Sequence, residues 1–167
     1  FDGSGNAGVV NIQTTDLTLS GTDSRGFSSA VASIATGSGK GGGINIEASR
    51  KVELLDGGFI ATSAQSRDGG NITMTIGELL HLRKSEISTS VGTDRGNGGN
   101  ITIDPVFVLL EDSRIVANAF QGSGGNISII SQFFLTQGDW LVQASSEKGI
   151  SGNVVISSPR VDLAGAL

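Results

Sequence analysis

The hexapeptide Gly98-Gly99-Asn100-Ile101-Thr102-Ile103 recurs along the chain, and this recurrence decides the fold. The other copies, some of them degenerate, are Gly8-Val9-Val10-Asn11-Ile12, Gly42-Gly43-Ile44-Asn45-Ile46, Gly69-Gly70-Asn71-Ile72-Thr73-Met74, Gly124-Gly125-Asn126-Ile127-Ser128-Ile129 and Gly152-Asn153-Val154-Val155-Ile156. Glycines followed by alternating apolar residues, with a period of about 28 residues, are typical of a stacked repeat. Each repeat alone could not bury its apolar side chains, so the repeats are expected to stack on one another.

Each repeat contains three segments with alternating apolar residues, which predict β-strands. The first follows the glycines, and the third pairs a bulky residue with a small one, as in Ile115 and Ala117. The second segment, which is Phe133/Leu135 in the fifth repeat, shifts by one residue between repeats, and this shift leaves its inward face open. Residues 78–85 have the best helical pattern but occupy the place of a second strand, so we predict a strand there.

Three strands per repeat predict an all-β fold, a single right-handed parallel β-helix (solenoid) of about six coils over residues 1–167. Neighbouring coils would pair their strands at about 4.8 Å. Corners are predicted at the last glycine of each copy, namely Gly8, Gly42, Gly70, Gly99, Gly125 and Gly152. The asparagines that follow are predicted to form a ladder bonded side chain to side chain, through Asn71, Asn100, Asn126 and Asn153.

Composition excludes several kinds of site. Cysteine is absent from the 167 residues, which removes disulfides and cysteine-ligated metals. The 11 basic and 16 acidic residues give a net charge of -5 without a basic stripe, so nucleic acid is not an expected partner. No apolar run has the length of a membrane span. The chain does not begin with Met and lacks the pattern of a signal peptide, so we interpret it as a segment of a longer chain.

The glycine-rich stretches do not predict a cofactor site. Residues 3–8 and 37–42 match the spacing of a dinucleotide loop, but strands follow them where that site needs a helix. The calcium repeat of β-rolls requires an aspartate where Ile101-Thr102-Ile103 follows the glycines. We therefore expect corners and no cofactor.

The charged residues do not predict a catalytic cluster. His81, the only histidine, lies between two leucines and is expected to point outward as an ordinary surface residue. Asp16, Arg50 and Glu78 share one offset from the corner glycines and predict an ion ladder. A polysaccharide lyase or hydrolase would need paired carboxylates on one lateral face. The expectation is a protein that is not an enzyme, with the polysaccharide-cleaving β-helix kept as the alternative.

The loops before the corner glycines vary most between repeats, and variable loops on one edge of a solenoid often carry recognition. Trp140 and Phe120 are candidate glycan-stacking residues, and Arg67 and Arg95 are further candidate surface contacts. For Trp140 the other interpretation, that it covers the core at a corner, is slightly favoured.

The Gly-Gly-Asn-Ile-Thr-Ile unit, the stretch Asp112-Ser113-Arg114-Ile115-Val116-Ala117-Asn118 and residues 144–152 resemble the filamentous-haemagglutinin-like exoproteins of Gram-negative bacteria and cyanobacteria. The resemblance covers essentially the whole chain and is strongest over residues 96–159. It implies a distal or C-terminal piece of a passenger that is secreted to the bacterial cell surface through an outer-membrane two-partner-secretion transporter.

This resemblance also implies a function. The chain would be a non-enzymatic adhesive segment that contacts a host-cell or glycan receptor, and the alternative is a pure spacer without a ligand. The open ends of a β-helix leave backbone groups unpaired, so the chain is expected to be a monomer or to associate weakly end to end.

Overall fold

The computed structural model describes residues 3–92 and 96–159, and all regular elements in them are β-strands. The strands are β1 (Val10–Ser20), β2 (Ala30–Ala35), β3 (Ile44–Leu55), β4 (Phe59–Ala64), β5 (Ile72–Ile76), β6 (Leu79–Arg83), β7 (Glu86–Val91), β8 (Ile101–Asp104), β9 (Phe107–Glu111), β10 (Arg114–Asn118), β11 (Ile127–Ile130), β12 (Phe133–Gln137), β13 (Leu141–Gln143) and β14 (Val154–Ser157). Residues 78–85, with the most helical pattern, contain strand β6, as predicted.

Parallel sheets stack the strands into a β-solenoid. One sheet of nine strands has the order β12-β9-β6-β3-β5-β8-β11-β14, with β1 paired to β3, and a second sheet of five has the order β13-β10-β7-β4-β2. Each strand therefore pairs with its counterparts in neighbouring coils. The predicted fold class is confirmed, with about 4 turns. This count is slightly lower than the six coils predicted.

The corner between the first and second strands sharpens along the solenoid. In the first two coils these strands are continuous, so β1 and β3 run through both positions. From the third coil they separate, as between β5 and β6, where Gly77 lies against the backbone of Ser49. In the fourth coil Pro105, which has no N–H to donate, interrupts the pairing.

Alternating side chains from all three strands fill the interior. In the fourth coil the inward residues Ile101, Ile103, Val108, Leu110 and Ile115 are all 0% exposed. Burying an aliphatic side chain of this size stabilises the folded state by about 1.5–3 kcal/mol. The core is thus built almost entirely of aliphatic residues.

The structure settles the inward face of the second strand in the fifth coil, which is not that of Phe133 and Leu135. Phe134 aligns with Val108 of β9 and packs against the core, whereas Leu135 aligns with Leu109 and is 54% exposed. Because side chains alternate between the two faces of a strand, a shift of one residue in the pairing moves every inward side chain to the outer face and every outward one to the core. The pairing of β12 with β9 determines the register.

A column of left-handed residues forms the corner between the second and third strands. The aligned residues of five described coils have positive φ there, and Gly57 (96°) adds a second such residue beside Asp56: Gly21 (72°), Asp56 (50°), Lys84 (49°), Asp112 (47°) and Gly138 (68°). Aspartate and glycine tolerate this conformation, but lysine rarely adopts it. The chain thus turns at the same place in these five described coils.

Candidate functional site

The corner glycines permit a close approach of neighbouring coils. A Cβ added at Gly99 would lie well inside 3.0 Å of the Gly70 carbonyl oxygen, and one at Gly125 would lie equally close to that of Gly99. Gly42, Gly70 and Gly152 make the same contact with the corner glycine of the preceding coil. None of these described glycines has positive φ. They are needed for space between backbones, and they do not form a tight left-handed turn.

Buried threonines bond to the carbonyl groups of this glycine column. The Thr62 hydroxyl donates to the Gly70 carbonyl, and the Thr89 hydroxyl donates to the Gly99 carbonyl, both at 2.6 Å. Both threonines are 0% exposed. Ala117 takes the same place in the next coil. In the second and third coils, the small inward residue of the third strand therefore also satisfies a buried acceptor, and Ala117 has no hydroxyl to do so in the fourth.

The predicted asparagine ladder exists, but its main hydrogen bonds differ from the prediction. The Asn71 Oδ1 accepts from the backbone N–H of Asn100 at 2.8 Å, and the Asn100 Oδ1 accepts from that of Asn126 at 2.8 Å. The Asn153 N–H donates to the Asn126 Oδ1 at 3.0 Å. Among these four described asparagines, the Asn126 Nδ2 also donates to the Asn100 Oδ1, at 3.3 Å. A short amide side chain readily reaches a nearby backbone N–H, which explains the difference.

A second ladder, which the sequence interpretation missed, lies two residues before the corner glycines. The Asp68 Oδ1 accepts from the Asn97 N–H at 3.1 Å, and the Asn97 Oδ1 accepts from the Ser123 N–H at 3.0 Å. The Asn97 N–H, followed by the Lys40 ammonium, holds the pKa of Asp68 below its usual value. The common offset from the glycines was the signal that could have revealed this column.

The two aromatic residues predicted to contact a glycan, Trp140 and Phe120, both contact other side chains of the same chain. Trp140 meets Phe134 edge to face at 6.0 Å, so it lies against an inward-facing side chain of the fifth coil. Phe120 is covered by Lys148, whose Nζ lies 4.4 Å from the ring centroid. Intramolecular partners thus occupy part of both aromatic surfaces.

The predicted arginine contacts do not join these aromatics in one site. Arg67 is exposed in the loop before Gly69, and its backbone packs against Gly96. Arg95 lies outside the described residues. Trp140 stands at a different corner, immediately before β13.

The structure instead assembles an apolar surface on the outward side of the second strands. We name it the apolar strip, and its residues are Leu79, Val106, Phe107, Leu109, Phe133 and Leu135. The rings of Phe107 and Phe133 stack with centroids 4.8 Å apart and an interplanar angle of 11°. Phe107 and Leu135 are 41% and 54% exposed. Contiguous exposed apolar side chains of this kind mark interaction surfaces.

Polar groups border the apolar strip toward the N-terminal coils. His81 faces outward, as predicted, and its Nε2 lies 3.1 Å from the Glu111 Oε1. The Lys51 ammonium donates to Glu53 at 2.8 Å and holds the pKa of Glu53 below its usual value. Arg83 donates to an aspartate of the corner column at 2.8 Å. The strip therefore has a polar border on this side, and protein interfaces likewise combine an apolar centre with polar groups at the edge.

The predicted ion ladder forms only in part. Arg50 pairs with Asp16, but within the described residues it makes no ion pair with Glu78. The Glu78 backbone N–H instead donates to the Arg50 carbonyl at 2.8 Å. The shared offset therefore places these residues in one column without joining all three charges.

The described residues form neither a metal site nor a membrane-spanning helix. In residues 3–92 and 96–159, no group of three or more acidic or histidine side chains is placed to hold a metal ion. The part of the chain that the structure describes has no helix long and apolar enough to cross a membrane. No protein-family model, curated protein or solved structure matches the chain.

Proposed function

We propose that this chain is a non-enzymatic, rod-like segment of a secreted bacterial surface protein, and that it adheres to its receptor through the apolar strip. The observation that carries the proposal is the exposed stack of Phe107 on Phe133, with Leu135 beside it. Apolar side chains on the outer face of a sheet add nothing to the core of their own coil. Their burial against a partner would supply binding free energy of about 25 cal/mol per Å² before the losses of association.

The solenoid supplies a rigid support for this surface. Parallel ladders join each coil to its neighbours, and the two polar ladders fasten the corner beside the glycine column. The strip residues come from adjacent strands in fixed register, so they need little ordering when they bind. A receptor would therefore meet a preformed surface.

The chemistry of the strip limits the receptor. It must offer apolar groups, either on a host-cell surface protein or on the C–H faces of a glycan. The resemblance to haemagglutinin-like exoproteins supports export through an outer-membrane two-partner-secretion transporter and a place at the cell surface. Stiff, repeated modules suit a protein that makes weak contacts at several points.

Whole-cell adhesion and glycan-array binding test the proposal. We expect the double variant Phe107→Thr/Leu135→Thr to lose most binding, since threonine retains strand propensity but removes apolar area. The matched control is Ile34→Thr/Ile130→Thr. It changes two apolar residues that are 56% and 51% exposed and lie in β2 and β11, outside the apolar strip. The control should bind like the unmodified chain.

Each alternative function predicts a different result. A pure spacer predicts that the unmodified chain binds neither cells nor glycans. If both double variants bind as strongly as the unmodified chain, adhesion must occur elsewhere, for example at Arg67. A polysaccharide-cleaving enzyme predicts release of unsaturated sugars from pectin, alginate or chondroitin. That activity has less support, because the described carboxylates near the strip contact separate basic side chains, Glu53 with Lys51, Glu111 with His81 and Asp56 with Arg83.

A further inference from the structure

One corner of the solenoid carries a hairpin that the later described coils lack. Eight residues, 22–29, lie between the left-handed corner residue and β2, whereas one or two residues separate each later corner residue from the third strand of its coil. Thr22 and Ser28 form an antiparallel bridge in this segment, and the Asp23 N–H donates to the Phe27 carbonyl at 2.8 Å. We name residues 22–29 the corner hairpin. It is an addition to the repeating coil.

Both ends of the corner hairpin are bonded to the second coil. The Gly21 N–H, immediately before it, donates to the Leu55 carbonyl at 3.1 Å. The Phe59 N–H donates to the Ser29 carbonyl at 3.0 Å. Because the neighbouring coil holds both ends, the hairpin has a fixed place on the side of the solenoid and needs little ordering when it binds.

The tip of the corner hairpin presents an aromatic ring beside a guanidinium group. The Asp23 Oδ1 accepts from the backbone N–H groups of Arg25 and Phe27 at 2.8 and 2.9 Å, and the Asp23 Oδ2 accepts from the Arg25 Nε at 3.2 Å. The Arg25 guanidinium carbon lies 5.6 Å from the centroid of the Phe27 ring. Phe27 is 69% exposed, and the side chain of Arg25 is 78% exposed. Aromatic residues and arginines are the side chains that most often dominate the binding energy of protein interfaces.

The apolar strip contains a cavity that suits this tip. The cavity has a volume of about 330 Å³, and strip residues line it, namely Leu79, Val106, Phe107, Leu109 and Leu135. A cavity of about 150 Å³ is enough to admit a benzene ring, so the side chain of a phenylalanine fits. Among the described residues that line it, Glu78 carries the only charge. Glu78 is exposed, and within the described residues its carboxylate forms no ion pair and accepts no hydrogen bond.

We propose that the corner hairpin of one copy of this chain docks on the apolar strip of a second copy. Phe27 would enter the cavity beside Phe107, and the Arg25 guanidinium would donate to the Glu78 carboxylate. Arg25 gives its Nε to Asp23, and within the described residues its two η nitrogens donate no hydrogen bond, so they can bind a carboxylate. The occupant is a second copy because the two surfaces match in polarity and in charge.

This contact makes self-association and receptor binding compete for one surface. A copy whose apolar strip holds the hairpin of another copy does not present Phe107 and Leu135 to a receptor. The competition rests on the proposed adhesive function, whereas the association itself is measured without a receptor. The two proposals can therefore fail separately.

Sedimentation velocity of the full chain over a wide range of concentration tests the association. The unmodified chain should associate reversibly. Phe27→Ser should raise the dissociation constant by about tenfold or more, because it removes the ring that enters the cavity. Ile34→Ser changes an apolar residue that is 56% exposed and lies outside both surfaces, so it should associate like the unmodified chain. Melting followed by circular dichroism checks that both variants are folded.

An exchange of charge tests the contact between Arg25 and Glu78. Arg25→Glu alone and Glu78→Arg alone should each associate more weakly than the unmodified chain, because like charges then meet across the contact. An equimolar mixture of the two variants should associate again, because the hairpin of the first meets the strip of the second with opposite charges. This recovery requires two different copies, so a change within one copy does not produce it.

Three results would overturn the proposal. They are an unmodified chain that is monomeric at all concentrations, undiminished association of Phe27→Ser, and a mixture of the charge variants that associates no better than either variant alone. Phe107→Thr/Leu135→Thr should lose both self-association and adhesion, whereas Phe27→Ser should lose self-association and adhere at least as well as the unmodified chain. Adhesion that depends on the strip, in a chain that does not self-associate, would remove this inference and leave the proposed function standing.

Discussion

Gly99 packs its Cα directly against the carbonyl oxygen of Gly70 in the preceding coil, with no room for a side chain between them. The ladders on both sides of this contact prevent the coils from moving apart. We expect Gly99→Ala to destabilise the fold by about 3 kcal/mol or more, since backbone must shift to admit the methyl group. Urea unfolding followed by circular dichroism measures this loss.

Gly8→Ala is the matched control for Gly99→Ala, because it adds the same methyl group to the same column where nothing lies within 4 Å. Its stability should be close to that of the unmodified chain. Similar losses in both variants would mean that glycine flexibility, and not the close approach, determines the effect.

The buried hydroxyl of Thr89 should matter more than its methyl group. Thr89→Val keeps the shape of the side chain but leaves the Gly99 carbonyl without its 2.6 Å donor. We expect a loss of about 1–3 kcal/mol, the typical effect of a buried acceptor left unsatisfied. The exposed Thr102→Val variant should remain within about 0.5 kcal/mol of the unmodified chain. Equal unfolding midpoints for the two valine variants would contradict the assignment.

Lys84 occupies the left-handed column with φ of 49°. This conformation disfavours a residue with a Cβ by about 1–2 kcal/mol, while glycine adds about 0.4–1 kcal/mol of unfolded-state entropy. Lys84→Gly should therefore stabilise the fold by about 0.5–1 kcal/mol, seen as a higher melting temperature. Lys84→Ala removes the ammonium group but keeps the Cβ, so it should bring no such gain. A comparable gain in both variants would assign the effect to charge.

Asp68 should contribute to the acid sensitivity of the fold. The hydrogen bond from Asn97, followed by that from Lys40, lowers its pKa in the folded state. Its stabilising contribution is therefore present above the unfolded pKa of about 3.9 and is lost as pH falls through the lower folded value. Asp68→Asn keeps the Oδ1 acceptor and removes this titration. The difference between its urea midpoints at neutral and acid pH should be smaller than in the unmodified chain.

Asp68→Ala separates charge from hydrogen bonding in this test. It removes the acceptor for the Asn97 N–H as well as the carboxylate, so it should lower the urea midpoint at every pH. An unchanged pH dependence in Asp68→Asn would show that other carboxylates, such as Asp56 beside Arg83, dominate acid unfolding.

The repeat predicted the fold because the same pattern of glycines and alternating apolar residues occurs in each coil. One buried column contains Ile72, Ile101 and Ile127. A single isoleucine would not have predicted a strand, but its recurrence at the same position of each repeat does. The second strand was harder to place. The apolar run from Val106 to Leu110 has no alternation, so nothing within it distinguishes inward Val108 from outward Phe107.

The same ambiguity concealed the apolar strip. Phe133, Phe134 and Leu135 are equally apolar, and only their pairing with β9 reveals which of them face outward. The distribution of hydrogen bonds in the ladders could not be derived either. Asparagine offers its Oδ1 to a side chain or to the backbone, and the geometry of the corner decides between them.

The ladders run along the axis of the solenoid, while the chain itself winds around that axis. A pulling force between the two ends would therefore load the hydrogen bonds along their own direction and peel off one coil at a time. Each coil of about 28 residues would release about 90–100 Å of chain. In single-molecule stretching, the corner glycines, the polar ladders and the core strands of a coil should yield together, in steps of that length.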